Sequence, residues 1–359
     1  MGNITFDDLL KQKVYTTYSD FVSEIPHAVS KEVRENIKRE RKLVKDIRNH
    51  ESFKKMTIRH TNKLLPKAEK LLLSGNVVGV DGTIAKLRLF SGVRCQVGIV
   101  AVNYVGEQIK HSFFISHADL RDEPKDVLDR IARRMEIDDE LPEMALRGFM
   151  LYREREVGLH TQFKGKYIMY HGPLLPFELM SGLGRLRALE TTLEILRKIV
   201  KEKRCFSVIS GSRYIDYSYY GMAIQKGEYL TKKGFDLYDH LANTTNFMRY
   251  RSKWRDEERE MIEEFLENYA RKIQIGVIRI GERPYVFHAH KENFDLAAAI
   301  IARDSMFQRE KGFPLLIDYA DALCTEYFSA GQFKNMMKWE LAKNNSYLLE
   351  AEEREMRNK

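Results

Sequence analysis

Hydrophobic and polar positions divide the chain into stretches of different period. Up to about residue 70 the pattern is helical and poor in apolar positions, and SKEVRENIKRERKLVKDIR alternates in charge sign. That is how a solvated or partner-facing helix reads. Pro26 and Pro66 punctuate this segment. At Asn76 the character changes: VVGVDGT is a short apolar run ended by a Gly turn, which predicts a fully buried strand. CQVGIVAVNYV (95–105) and EQIKHSFFIS (107–116), joined around Gly106, predict an antiparallel hairpin beside it.

Two helices are expected next, PKDVLDRIARRMEI and LPEMALRGFMLYREREV, the second with Pro142 in its first turn. KYIMYHG (166–172) reads as another buried strand. Leu186, Leu189, Leu193, Leu196 and Val200 mark an amphipathic helix, and CFSVISGS a further strand. From 213 to 254 the chain is irregular and rich in tyrosine and basic residues. DEEREMIEEFLENYARK predicts a charged helix, IQIGVIRIG and RPYVFHAH two strands, and the last clear element is a helix near 314–329. The tail EAEEREMRNK is expected to fray. The expected organisation is a helical region over 1–70, an α/β domain over 71–335, and a C-terminal helix and tail over 336–359.

Composition narrows the function classes. Within 359 residues, 43% are apolar and 31% charged, which suits a water-facing surface around a sizeable core. No apolar run approaches the ~20 residues that span a bilayer, and the first residues lack the apolar stretch of a secretory leader. Cys95, Cys205 and Cys324 are odd in number and far apart, with no CxxC pair. A reducing cytoplasm is therefore the expected compartment. The net charge of +8 is a mild argument for a polyanionic partner.

Candidate chemistry starts at Asp81, at the end of the run VVGV and followed by Gly82 and Thr83. A carboxylate at the edge of a buried strand is costly unless a cation or hydrogen bonds compensate it; the ordinary alternative is an Asp-Gly turn. Glu154 has Met150, Leu151 and Val157 as helical neighbours, so it emerges on the inward face, either as a metal-binding oxygen or as a partner for Arg147 or Arg153. His171 closes KYIMY. Asp321, in LLIDYADALC, follows Asp318 near a helix start, where carboxylates also favour the dipole. His288 and His290 share one face of a strand; with no third ligand nearby in sequence they read as structural.

The blocks VVGVDGT (77–83), YREREVG (152–158), KYIMYHGPLLP (166–176) and GFPLLIDYADALC (312–324) resemble, in order, the landmarks of the NurA nuclease family. The resemblance covers most of residues 70–330. Asp81 and Glu154 match the family's strand-end Asp and helical Glu. His171 stands where the family usually carries the Asp of a second Asp-Gly-Ser-Leu motif, and Ala320-Asp321 stands where it has Ala-His. Arg213 lies where the family tends to place a Lys. The two ligand types thus look exchanged between His171 and Asp321.

The resemblance implies an α/β, ribonuclease H-like mixed sheet flanked by helices, with an N-terminal helical elaboration. It implies a metal-dependent deoxyribonuclease in which Asp81, Glu154, His171 and Asp321 are the catalytic and metal-binding residues. Three carboxylates with one imidazole suit Mn²⁺ better than Mg²⁺. It also implies a homodimer and a HerA-type hexameric ATPase as partner, in DNA end processing or defence against phage. Arg213, Arg249, Arg251, Lys253, Trp254 and Arg255 are the expected DNA-binding residues, because cations beside aromatic rings suit a single strand. A site decayed into a DNA-binding or adaptor subunit is the alternative, and an RNA-directed relative ranks last.

Overall fold

A computed structural model describes residues 18–89, 92–116, 140–211, 214–232, 236–242 and 253–346. Arg213, Arg249, Arg251, the helix expected at 124–137 and the C-terminal tail lie outside the described residues. The chain divides between Lys54 and Lys55 into two units. Within the first, α1 (Tyr18–Asn49) is a long helix with Pro26 inside it, followed by a single helical turn at Glu51–Lys54.

The second unit is a nine-stranded mixed sheet flanked by helices. Its strands are β1 (Thr57–His60), β2 (Val77–Leu89), β3 (Gly92–Val102), β4 (Gln108–Ser116), β5 (Tyr167–His171), β6 (Cys205–Ile209), β7 (Glu228–Thr231), β8 (Ile273–Arg279) and β9 (Pro284–His290). Their spatial order is β1-β7-β8-β9-β6-β5-β2-β3-β4. The run β4-β3-β2-β5-β6 is the expected ribonuclease H-like core: an antiparallel meander of three strands, then two strands parallel to the first. The described helices of the unit longer than four residues are α2 (Leu65–Leu73), α3 (Glu140–Gly158), α4 (Leu189–Lys201), α5 (Ile215–Gly221), α6 (Leu237–Ala242), α7 (Asp256–Asn268), α8 (Phe294–Ser305), α9 (Leu315–Phe328) and α10 (Ala330–Lys343).

Three expectations are corrected. The region 1–70 is not helical throughout, because Thr57–His60 pairs antiparallel with β7 at the edge of the sheet. The stretch 213–254 contains α5, β7 and α6; β7 is only four residues long, too short for a period to show. And β2 does not end in a turn at Gly82. It stays extended to Leu89, with Gly82 opposite Ile99 and Thr83 opposite Gly98 on β3. What ends there is the other ladder: β2 pairs with parallel β5 only as far as Val80 opposite Tyr170. Asp81 therefore sits mid-strand on one side and at the end of the parallel ladder on the other.

Two helices pack on this part of the sheet by resting on glycines. A Cβ at Gly79 would lie 2.8 Å from the Leu316 carbonyl oxygen, and one at Gly98 would lie 2.2 Å from the Phe328 ring, so α9 sits almost on bare backbone. Residues 79 and 82 point to opposite faces of the strand. On the Gly82 face, α3 approaches to the point where a Cβ would meet Glu154 Oε1 at 2.7 Å and Met150 Cγ at 2.9 Å. The main core, including Val77, Val100, Phe206, Val208 and Phe287 with α8 and α9, fills the other face.

Candidate active site at the end of the parallel ladder

The ladder of β2 with β5 ends at Val80 opposite Tyr170, which sets Asp81 beside His171, and β6 runs on from Val208, the partner of His171, to bring Ser210 to the same imidazole. His171 Nδ1 lies 3.2 Å from each carboxylate oxygen of Asp81. Its Nε2 lies 2.7 Å from Ser210 Oγ. Asp81 is 5% exposed and also accepts the Gly82 amide at 2.9 Å, whereas the His171 side chain is 32% exposed. The imidazole is thus held between a buried carboxylate and a hydroxyl, and edge-on to the Phe313 ring at 5.6 Å between centroids. Such a line orients a ring to take or give a proton at Nε2.

Glu154 is 1% exposed and its neighbour Arg155 is fully buried. Consecutive helical residues rarely share a direction; here the long guanidinium folds back to donate to Glu154 Oε2 at 2.5 Å and to the Pro173 carbonyl at 2.6 Å. The expected partners of Glu154 are otherwise engaged. Arg153 pairs with Glu156 at 2.6 Å, and Arg147 lies 3.6 Å from Glu178. The sequence analysis did not single out Arg155, and nothing in its spacing marks it as buried.

The electrostatics tie the four sequence-predicted residues together. Burial is the main cause of the rise of the Glu154 pKa to about 7; Arg155 opposes it and the negative charge of Asp81 adds to it. Burial also raises the Asp321 pKa, again with Asp81 adding and His171 opposing. For His171, burial pulls toward the neutral ring, but the hydrogen bond and charge of Asp81, with Glu154 and Asp321, outweigh it, and its pKa stands above the usual value. Asp321 stands at the exposed rim. Asp318 belongs elsewhere, receiving Lys311 at 2.5 Å and Gln308 at 2.7 Å.

Oxygen-rich donors that repel one another suit a hard divalent cation. In the geometry described, however, protein groups already face two of the acids, the Arg155 guanidinium against Glu154 and the imidazole of His171 against Asp81. Among the described residues no three His, Cys, Asp or Glu side chains are grouped as a ready metal cage.

Of the expected DNA-binding residues, Lys253 and Arg255 are exposed. Trp254 is 8% exposed, so its ring packs inside rather than standing open to a base. His288 is buried on β9, where burial holds it well below the usual imidazole range, and His290 caps the turn that follows through Glu292. Among the described residues no helix is long and apolar enough to cross a membrane.

The sequence matches no family profile and no curated protein. Among solved structures, the NurA nuclease from Sulfolobus solfataricus is similar at 12% identity, with a TM-score of 0.44 over 75% of this chain and 84% of that one. A NurA structure with manganese is similar at 11% identity, with a TM-score of 0.40 over 81% of this chain and 94% of that one. An endonuclease V from Bacillus subtilis gives 9% identity and a TM-score of 0.35 over 76% of this chain and 91% of that one. At that level the likenesses carry no residue-by-residue correspondence.

Proposed function

We propose that the chain is a metal-dependent deoxyribonuclease whose site is Asp81, Glu154, His171 and Asp321. The observation that carries this reading is the gathering of charge around Asp81: His171 lies 3.2 Å from its carboxylate, and its negative charge adds to the burial that holds Glu154 and Asp321 above the ordinary carboxylate range. Perturbed acids gathered at the ends of parallel strands favour chemistry over structure. The motif order of the NurA family supports the same residues.

A divalent ion held by Asp81, Glu154, Asp321 and His171 would polarise a phosphate oxygen and make an attacking water more acidic. The chain's own groups do the rest. Gly82 leaves the space that Glu154 occupies, and Arg155 fixes the Glu154 carboxylate from behind. Ser210 and Asp81 set the plane of the imidazole, and His171 takes or gives a proton at Nε2. Lys253 and Arg255, on the surface, are the positions expected to meet a phosphate backbone. By the same resemblance the chain works as a homodimer with a HerA-type hexameric ATPase, in DNA end processing or phage defence.

A second reading has its own observation. Arg155 already faces Glu154 and His171 already faces Asp81, an arrangement that partners both acids without a metal and fits a DNA-binding adaptor subunit. The two readings separate in one assay: cleavage of linear single- and double-stranded DNA with Mn²⁺, Mg²⁺ or EDTA, with and without the ATPase. The nuclease reading expects metal-dependent cleavage that Asp81→Ala and Glu154→Ala abolish. DNA binding that survives EDTA with no cleavage under any condition overturns it in favour of the adaptor.

A further inference from the structure

His171 and Ser210 each follow a core residue of their own strand by two positions, Met169 and Val208, and so point to the same face of the sheet. Strand β9 runs antiparallel to β6, with Val286 opposite Ile209, so the start of β9 lies beside the end of β6. Two positions before the core residue Tyr285 stands Arg283, on that same face. Pro284 follows it and favours an extended backbone at Arg283.

The guanidinium is held from several sides. It donates to the Ser210 carbonyl at 2.8 Å and lies 5.5 Å from the centroid of the Tyr285 ring. That ring packs on Phe313 at 5.0 Å, and Phe313 in turn meets His171. The turn itself has no room to move away from this segment, since a Cβ at Gly312 would come within 2.4 Å of the Gly281 nitrogen. Ser210 thus fixes the guanidinium with its carbonyl and the imidazole with its hydroxyl.

The charge of Arg283 is nevertheless unspent. Its side chain is exposed, and among the described residues no carboxylate pairs with it; the adjacent Glu282 turns to Lys226 and Arg279 instead. Lys311 is committed to Asp318 and Arg155 to Glu154. Three carboxylates repel a phosphate, and a fixed guanidinium with spare N–H donors offsets that repulsion in a geometry that suits phosphate oxygens.

We propose that Arg283 is the substrate-holding residue of the site, its guanidinium taking the non-bridging oxygens of a DNA phosphate beside His171. The proposal rests on the deoxyribonuclease reading above and names what brings the strand to the acids. A phosphodiester carries its charge before any bond breaks, so the guanidinium binds substrate and transition state alike. It lowers KM and leaves kcat alone.

The test compares Arg283→Ala, Arg283→Lys and Lys203→Ala, the last removing the same charge ahead of β6, at its opposite end. Each is assayed by cleavage of a single-stranded oligonucleotide in Mn²⁺ and by binding of that oligonucleotide in EDTA. Arg283→Ala is expected to raise KM and weaken binding by about tenfold with kcat unchanged, and to make the salt dependence of binding shallower by about 0.7. Arg283→Lys is expected to restore the salt dependence but only part of the affinity, because an ammonium lacks the fork. Lys203→Ala is expected to change nothing. A methylphosphonate, which removes the charge of one phosphate, should weaken the wild type at one position where it no longer weakens Arg283→Ala.

Unchanged KM, binding and salt dependence in Arg283→Ala overturn the proposal, as does an equal effect of Lys203→Ala. A fall in kcat with KM unmoved also overturns it, and makes Arg283 a support of His171 acting through Ser210. Cleavage by the wild type leaves the nuclease reading standing in all three cases. A wild type that binds DNA without cleaving it ends the nuclease reading, and the binding measurements then decide Arg283 alone. A wild type that does neither overturns both.

Discussion

Two regions of the second unit each bury an acid, and they handle it differently. Asp304, at the end of α8, is fully buried; it accepts the Tyr104 hydroxyl at 2.5 Å and, at 3.0 Å, the Leu316 amide at the start of α9. Both donors are neutral. Burial raises its pKa to about 6, and the hydrogen bonds hold it back from rising further. Glu154 is as deeply buried, but it pairs with the charged Arg155 and also feels the charge of Asp81. A carboxylate that ties two helices together needs only donors. One that sits among like charges is poised, and that separates a structural acid from a candidate functional one.

The comparison breaks most sharply at Asp81. Replacing it with Asn keeps the shape but removes the charge that Glu154, His171 and Asp321 all respond to. DNA cleavage in Mn²⁺ is expected to fall by roughly a thousandfold, a loss typical of removing a central electrostatic group. A fall of less than tenfold would assign the site a structural role.

Arg155→Leu tests the poise of Glu154 from the other side. Stranding one member of a buried pair costs about 3–5 kcal/mol, and the cost should depend on pH. Glu154 then keeps a pKa at or above about 7 in the folded state against an ordinary 4.5. In that window the native state binds the extra proton, so stability falls as pH rises. Urea unfolding at pH 5 and pH 8 should show the larger loss at pH 8.

Asp304→Asn sharpens the contrast. With a folded pKa of about 6 against an ordinary 3.8, the wild-type acid is protonated more readily when folded. Its contribution is lost as pH rises from 4 to 6, by on the order of 2–3 kcal/mol. The Asn variant should lack that slope and leave DNA cleavage unchanged. The smallest effect is expected at Ser210→Ala, which removes a support of the imidazole: a loss of about tenfold, read as a shifted pH–rate profile. An unmoved profile would free His171 from any dependence on Ser210.

The sequence shows the core order because each central strand contains an apolar run, and Asp81, Glu154, His171 and Asp321 stand where such runs or apolar helix faces meet polar residues. What stayed hidden has a physical cause in each case. Helix α8 reads FDLAAAIIARDS, and it is buried on nearly every side, so no amphipathic period betrays it. Gly82 looked like a turn because Asp-Gly usually makes one; the long β3 partner keeps it extended. Ser210 carried a usable signal: it closes the strand that follows His171's strand, a polar residue at the end of an apolar run. Arg155 had none, since its burial depends on reaching the Pro173 carbonyl from another segment.

The seat of α9 on Gly79 and Gly98 has a mechanical consequence. A helix spaced from a sheet by side chains can slide and rock as those chains change rotamer. Here contact is made against bare strand, and the Cys324 thiol donates to the Asp81 carbonyl at 3.4 Å. The joint has almost no slack. Any push on Asp321 at the rim, from whatever docks there, must reach Asp81 undamped, as through a stiff lever with a very short arm.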